Sequence, residues 1–224
     1  MKMILYHGSR GIIGAPEFGE GNPHNDYGLG FYCTENLELA KEWASSEDSY
    51  GYVNIYELDL DGLTVCNLSK DYNILKWIAI LLENRTFELS SDTASIARDY
   101  LLKSFLPTYK KYDLIIGYRA DDSYFSFAKD FLNNSISLKK LSEAMRLGKL
   151  GEQIVLKSKE AFDKIRFIGS EQVNNSIYFP KKKERDAAAR SEYKAAKKII
   201  DIENEVYVID ILREKWESDD ARIQ

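Results

Sequence analysis

The sequence predicts an α+β fold in which strands and helices follow one another irregularly. Apolar residues recur at both strand and helix spacings, and their order lacks the strict alternation of a doubly wound sheet. The 224 residues are 44% hydrophobic and 30% charged, which is typical of a globular protein with a sizeable core. We expect one domain over residues 1–224, with a C-terminal helical extension from about residue 184.

Short runs of apolar and β-branched residues predict the strands, and turn residues follow several of them. The first run stops at His7, Gly8 and Ser9, and an alternating run ends at a turn formed by Asp61 and Gly62. The predicted strands cover residues 3–6, 31–33, 53–60, 63–68, 114–116, 153–156, 166–168 and 176–179.

Apolar residues at helical spacing predict the helices. Thr34 or Asn36 would cap the first helix, whose buried face includes Trp43, and Pro107 marks where a later helix must end. The predicted helices cover residues 37–44, 71–83, 92–105, 123–132, 137–147, 159–165 and 184–200. Residues 206–216 are apolar enough to dock onto the body of the domain.

The segment between Gly8 and Gly30 holds seven further glycine or proline residues, which predict an irregular loop. A loop of this kind often shapes a binding cleft. The chain also has 15 tyrosines but only 4 prolines. Because a tyrosine offers a flat apolar ring and a hydroxyl, this composition suits a planar ligand.

The net charge of −5 argues against a broad surface for nucleic acid, which needs clustered lysine and arginine. One short basic run comprises Lys181, Lys182, Lys183 and Arg185. We interpret it as the solvated start of a helix, with a phosphate-binding patch as the alternative.

Neither a disulfide framework nor a metal site is expected, because Cys33 and Cys66 are too few and too isolated. No apolar run approaches the roughly 18 residues of a membrane span. The apolar run near the first residue is too short for a secretory signal. The sequence therefore predicts a cytoplasmic protein without a membrane partner.

Three separated segments together resemble the ADP-ribosyltransferase superfamily, in the His-Tyr-Glu branch that includes diphtheria toxin and the poly(ADP-ribose) polymerases. They are YHGS at 6–9, DYGLGFYCT at 26–34 and GEQIVL at 151–156. The resemblance is greatest to a little-described bacterial family of that superfamily, with a YHGS start, a D-(F/Y)-G-x-G-F-Y-x-T block and an A-x-x-W-A helix. The segments at 112–117, 120–122, 178–180 and 210–214 extend it over nearly the whole chain.

This resemblance implies a split β-sheet core with interposed helices and a cleft for NAD+, the substrate whose nicotinamide–ribose bond breaks through an oxocarbenium-like state. It implies that His7 hydrogen-bonds the adenosine ribose. The backbone of Gly8 would hold the nicotinamide carboxamide, and the Tyr32 ring would stack on the nicotinamide. The other residues expected to contact NAD+ are Ser9, Asp26, Tyr27, Gly30, Thr34 and Asp122.

For three of these residues, a purely structural role is the alternative to contact with NAD+. Asp26 and Tyr27 either close the cleft over the dinucleotide or form a turn. Asp122, with Asp121 beside it, either lines the cleft or caps the helix that follows. Arg119 next to them either contacts the pyrophosphate or lies on the surface.

The catalytic polar residue is expected at Glu152 or Gln153. The superfamily places a glutamate near the start of this strand, where it binds the ribose 2′-hydroxyl and stabilises the cation. Adjacent strand residues face opposite sides, so only one of the two can reach the cleft. Charge favours Glu152, whereas alignment with the nearest relatives favours Gln153.

The resemblance therefore implies a mono-ADP-ribosyltransferase that modifies a macromolecule, as an intracellular toxin or defence protein. A protein acceptor is favoured over nucleic acid, and a neutralising antitoxin would be a further partner. The alternative is an ADP-ribosyltransferase-like domain that binds NAD+ with little or no turnover. Removal of an RNA 2′-phosphate would need more basic residues, and an α+β domain without a ligand is the last alternative.

Overall fold

The computed structural model describes residues 1–86, 88–89, 91–120, 122–145, 151–198 and 205–223. It confirms the α+β class, because helices accompany both antiparallel and mixed sheets. The strands are β1 (Lys2–Ser9), β2 (Phe31–Cys33), β3 (Gly51–Asp59), β4 (Val65–Asn67), β5 (Leu114–Tyr118), β6 (Glu152–Leu156) and β7 (Ile165–Val173). The helices are α1 (Leu37–Ala44), α2 (Leu68–Asp71), α3 (Ile74–Asn84), α4 (Asp92–Phe105), α5 (Asp122–Leu132), α6 (Leu138–Ala144), α7 (Lys159–Asp163), α8 (Asn175–Lys197) and α9 (Val208–Arg213).

The strands form two sheets that meet at one point. The first sheet has the order β1-β3-β7 and is antiparallel throughout. The second has the order β2-β6-β5-β4, in which only β4 and β5 run parallel. Tyr6 and Thr34 join the sheets through two backbone hydrogen bonds, of 2.8 and 2.9 Å.

Three apolar clusters form the core between the two sheets and between the sheets and the helices. Leu5, Tyr56 and Leu58 from the first sheet pack with Ile154 and Leu156 from the second, so this cluster lies between the sheets. A small cluster places α1 against the outer face of the first sheet. The largest cluster packs α3, α4 and α5 against the second sheet. Burial of apolar side chains in these clusters stabilises the layered arrangement.

Polar caps explain several helix starts. The side chain of Asn36, rather than that of Thr34, accepts a hydrogen bond from Leu39 N and caps α1. Ser91 caps α4 in the same way, through the backbone N–H of Ala94. Each cap satisfies a backbone donor that has no partner within its helix.

The prediction of a strand over residues 176–179 is wrong, because this segment lies inside α8, which continues through Pro180. Asn174 caps the helix with a hydrogen bond from Ser176 N. The basic run then lies within the helix rather than at a solvated start. Arg185 pairs with Glu42 of α1 at 2.8 Å, and Lys181 approaches Glu38 at 3.6 Å. Tertiary contacts thus override the strand preference of aromatic residues.

No helix in the described ranges is long and apolar enough to cross a membrane. The residues around α9 dock onto the helical cluster as predicted: Val208, Ile211 and Trp216 are all nearly fully buried there. Parts of two predicted helices, residues 146–147 and 199–200, lie outside the described residues.

Candidate functional site

A cleft of about 380 Å³ opens where β2, β6 and the glycine-rich loop meet. Its volume falls within the range of small-molecule sites. Most of the groups that line it are polar. Two of them are cationic side chains, Arg85 directly after α3 and Arg119 directly after β5. The lining residues are Asn22, His24, Asn25, Asp26, Tyr32, Arg85, Arg119, Ala120 and Gln153.

Tyr32 and Gln153 face this cleft from neighbouring strands. Tyr32 is paired with Val155, and Gln153, two residues earlier, projects from the same face of β6. Gln153 is 4% exposed, whereas Glu152 is exposed on the opposite face. Of the two candidates for the catalytic polar residue, Gln153 is therefore the one at the cleft with Tyr32.

The phenol of Tyr32 fixes the loop that precedes β2. Its hydroxyl donates to Gly28 O at 2.5 Å and accepts from Tyr27 N at 3.1 Å. Burial raises the pKa of Tyr32 well above its usual range, so the hydroxyl stays protonated and keeps both bonds. The ring is partly buried and packs against the helical core.

The two sheets separate immediately after the Tyr6–Thr34 bridge. Continuing the antiparallel register of this bridge by two residues puts Gly8 opposite Tyr32. Because Tyr6 directs its backbone groups toward Thr34, strand alternation directs those of Gly8 toward the same edge, away from β3. Gly8 and Tyr32 nevertheless share no backbone hydrogen bond.

The side chain of His7, and not the backbone of Gly8, makes the hydrogen bond to Tyr32 O. Its Nδ1 lies 2.6 Å from Tyr32 O and donates to it, while the imidazole stacks on Phe31 with ring centroids 4.5 Å apart. Burial lowers the pKa of His7, against the opposing effect of the bond to Tyr32, so the neutral ring is favoured. The imidazole thus lies on the Phe31 side of β2 and does not line the cleft that Tyr32 faces.

Gly8 allows β1 to approach α1 closely. A Cβ atom at this position would collide with Ala40 O and would lie 2.6 Å from Ala44 N and 2.9 Å from Trp43 Cβ. Trp43 in turn stacks under the guanidinium of Arg119, which lies 4.6 Å from the centre of the tryptophan ring. Arg119 lines the cleft together with Tyr32 and Gln153, whereas Gly8 lies outside the lining, on the other side of Trp43.

Asp26 connects four parts of the structure at the base of the cleft. Its Oδ1 accepts from Arg85 Nε at 2.8 Å, and its Oδ2 accepts from Ala120 N and from Gln153 Nε2, both at 2.8 Å. Burial raises the pKa of the Asp26 carboxyl, and Arg85 and the N–H donors oppose this rise. Because all these contacts are donors, they match the ionised carboxylate.

Three predicted contact residues have structural roles. Ser9 Oγ donates to Gly11 O at 2.7 Å, and Thr34 Oγ1 accepts from Asn36 N at 3.1 Å. Tyr27 is 1% exposed, and its hydroxyl donates to Tyr118 O at 2.7 Å. Gly117 lacks a side chain where this phenol passes, since a Cβ there would collide with the hydroxyl.

Gly30 does not line this cleft. Gly30 packs against β6, where a Cβ would lie 2.7 Å from Leu156 O, and it lines a second cavity of about 350 Å³. Asp122 begins α5, but its side chain and the whole of Asp121 lie outside the described residues.

Lys157 holds the same loop from the side of this second cavity. Its Nζ donates to Tyr27 O at 2.7 Å and to Leu29 O. Burial, with a smaller contribution from Lys110, lowers the pKa of Lys157 to about 8. The loop before β2 is therefore fixed from one side by Tyr32 and from the other by Lys157.

Sequence reasoning missed Arg85 and Asn54. Arg85 follows α3 directly, far along the chain from Asp26, and no local pattern links the two. Asn54 is fully buried in β3 and holds the start of the glycine-rich loop: its Oδ1 accepts from Ile13 N, and its Nδ2 donates to Ser9 Oγ, both at 2.8 Å. A polar residue in an alternating strand was the one signal that pointed to it. Among the described residues, no group of three His, Cys, Asp or Glu side chains could hold a metal ion.

Comparison with known proteins identifies the family. No curated protein and no solved structure matches the chain. A family model described as "Protein of unknown function (DUF3990)" matches residues 3–167, a range that includes the whole cleft lining. The chain therefore belongs to this family of proteins of unknown function, DUF3990.

Proposed function

We propose that this protein binds NAD+ in the cleft and transfers a single ADP-ribose unit to a macromolecule, with release of nicotinamide. The observation that carries the proposal is that Tyr32 and Gln153 line one cleft, while the register of the Tyr6–Thr34 bridge puts the open edge of β1 at Gly8 opposite Tyr32. These residues come from three segments whose pattern resembles the ADP-ribosyltransferases. A protein acceptor fits the net charge of −5 better than a nucleic acid does.

The groups around the cleft match the parts of NAD+. The ring of Tyr32 offers a stacking surface for nicotinamide. The backbone N–H and C=O of Gly8, directed away from β3, suit the nicotinamide carboxamide, which has one acceptor and two donor hydrogens. The guanidinium of Arg119 supplies positive charge for the pyrophosphate.

The structure-based role of His7 differs from the role that the resemblance implies. Its Nδ1–H donates to Tyr32 O and so leaves Nε2 as an acceptor. In this arrangement Tyr32 O is bound by the His7 side chain and not by Gly8 N, which leaves the edge at Gly8 open. We therefore propose His7 as a positioning residue for Gly8 and Tyr32.

Gln153 favours one transfer per acceptor over polymer formation. An amide can orient the ribose through its oxygen, but it carries no charge to stabilise an oxocarbenium-like state. Slow transfer follows, and elongation of a chain is not expected. A toxin that modifies an acceptor of the producing cell would need a neutralising partner there.

Incubation with NAD+ and a cell lysate tests the proposal. With label in the ADP-ribose moiety, label should appear in macromolecules, and protease should release it while nuclease should not. Nicotinamide release should fall roughly 10²-fold or more in Gln153→Ala. A larger loss in Glu152→Ala than in Gln153→Ala would transfer the role to Glu152, and neither release nor label in the wild type would refute the transferase.

NAD+ binding without turnover is the second candidate function. Two observations favour it: Arg85 neutralises Asp26, and Glu152 is exposed on the face away from Tyr32. No ionised carboxylate of the described cleft lining is then left unpaired to stabilise a cation. Calorimetric binding of NAD+ without nicotinamide release would select this function over transfer.

A further inference from the structure

The contacts of Gln153 determine the orientation of its side-chain amide. Nε2 lies 2.8 Å from Asp26 Oδ2 and 3.3 Å from Tyr118 O. A carboxylate and a backbone carbonyl can only accept hydrogen bonds, so the atom between them must be the amide nitrogen. Both amide hydrogens are therefore engaged, and Oε1 is left to accept a hydrogen bond from a ligand in the cleft.

Asp26 is itself held rigidly. Arg85 contacts its Oδ1 through Nε at 2.8 Å and through Nη2 at 2.7 Å, and Ala120 N contacts Oδ2 at 2.8 Å. These donors belong to the end of α3 and to the segment after β5. Because each is held by its own element, the carboxylate has little freedom to turn away from Gln153.

We infer that Asp26 is a positioning residue that sets Gln153 to present a hydrogen-bond acceptor, Oε1, to a hydroxyl of the bound ligand. The inference rests on the proposed function for the identity of that hydroxyl, which would belong to the nicotinamide ribose. The negative charge of the site then lies on Asp26, one residue removed from the ligand, and the ligand meets a neutral amide.

A glutamate at position 153 would be incompatible with Asp26. Two carboxylates at 2.8 Å cannot both be ionised without strong repulsion, so they would share one proton. At low pH the protonated carboxyl of the Gln153→Glu variant would donate to Asp26 and imitate the native amide. The folded pKa of the pair would exceed its unfolded value, so stability would be present at low pH and lost as pH rises through the folded pKa.

The groups around Gln153 that titrate or carry charge are His24 and Arg119 in the cleft, Arg85 beyond Asp26, and the phenols of Tyr27 and Tyr32. All of them are present in every variant compared below. Each variant is therefore compared with the wild type at the same pH.

The test compares thermal unfolding and NAD+ affinity at pH 5 and pH 8. The variants are Gln153→Glu, the double variant Asp26→Asn/Gln153→Glu, and Gln172→Glu as a matched change at an exposed position of β7. The midpoint for Gln153→Glu should be near the wild type at pH 5 and at least about 5 °C below it at pH 8. NAD+ affinity of this variant should weaken about tenfold over the same interval.

The double variant should lose this extra pH dependence, because an asparagine at 26 can donate to an ionised glutamate at 153. Its midpoint should lie below the wild type at both pH values, since Arg85 loses a carboxylate partner. Gln172→Glu should follow the wild type. A Gln153→Glu variant that follows the wild type at both pH values would overturn the inference. If the midpoints behave as stated but the wild type binds no NAD+, the pairing stands and the proposed function fails.

Discussion

The guanidinium of Arg85 contacts a single oxygen of Asp26 through two nitrogens, Nε at 2.8 Å and Nη2 at 2.7 Å. The pair joins the end of α3 to the glycine-rich loop, 59 residues apart in the chain. Arg85 also donates to Ala120 O, beside the backbone N–H that Asp26 accepts. The base of the cleft is therefore a charged cluster rather than an apolar pocket.

Replacing Arg85 with methionine should destabilise the protein by about 3–5 kcal/mol at pH 8, because Asp26 would remain as an unpaired buried charge. Burial already raises the pKa of Asp26, and loss of Arg85 would raise it further. A protonated Asp26 needs no cation, so the difference from the wild type should shrink as pH falls through that folded pKa. Urea unfolding from pH 5 to pH 8 measures this difference in the free energy of unfolding.

Arg98→Met is the matched control, since Arg98 on α4 pairs with Asp99 at 3.3 Å near the surface. This change should cost less than about 1 kcal/mol. Equal losses for the two arginine variants would contradict the role of Arg85.

His7→Leu should destabilise the protein by about 1–3 kcal/mol, because Tyr32 O loses its donor. His7→Asn keeps an N–H near the same place and should lose less. In the leucine variant the backbone of Gly8 is free to pair with Tyr32, so the Gly8 amide should exchange more slowly with solvent. Unfolding and amide hydrogen exchange test this, and equal stabilities with unchanged exchange would argue against it.

Gly8→Ala should cost about 1–3 kcal/mol, because its Cβ would force β1 away from α1. NAD+ affinity should fall with it, since the carboxamide contact depends on the position of this edge. Gly14→Ala in the loop that follows β1 is the control, as a Cβ there meets no atom within 4 Å. The two variants can be compared by thermal unfolding and calorimetry, and indistinguishable behaviour would refute the close approach at Gly8.

Lys157→Met should change how stability depends on pH. The folded pKa of Lys157 is lowered to about 8, below the unfolded value near 10.4, so the unfolded chain binds more protons between these values. Wild-type stability should therefore rise relative to Lys157→Met as pH increases from 8 toward 10. Denaturant unfolding across this interval measures the difference in the free energy of unfolding between the two proteins. A difference that does not change with pH would contradict the lowered pKa of Lys157.

Local patterns in the sequence were sufficient to predict most of the helices and strands. The helix over residues 92–105 begins and ends as its apolar spacing and Pro107 predicted. The prediction of a strand over residues 176–179 failed because the aromatic residues of this segment favour strands. The segment is instead part of α8, which docks on α1 through ion pairs with Glu38 and Glu42. Such contacts between distant segments leave no local periodicity.

The cleft was only partly accessible from the sequence. Strand alternation required that one of Glu152 and Gln153 face Tyr32, but the register of β6 against β2 had to be seen to tell which. The same limit applies to His7, whose ring lies on the Phe31 side of β2. Arg85 and Asn54 act through contacts with a distant loop, and neither belongs to a motif.

Titration calorimetry with NAD+ tests the central claim most directly, with Tyr32→Leu measured beside the wild type. Leucine keeps apolar bulk but removes the stacking ring, a contact worth about 0.5–1.5 kcal/mol, together with the hydroxyl that binds Gly28 O and Tyr27 N. We expect saturable binding of one NAD+ by the wild type and an affinity roughly two- to tenfold weaker in the variant. Absence of binding by the wild type, or equal affinity in both proteins, would contradict an NAD+ site at this cleft.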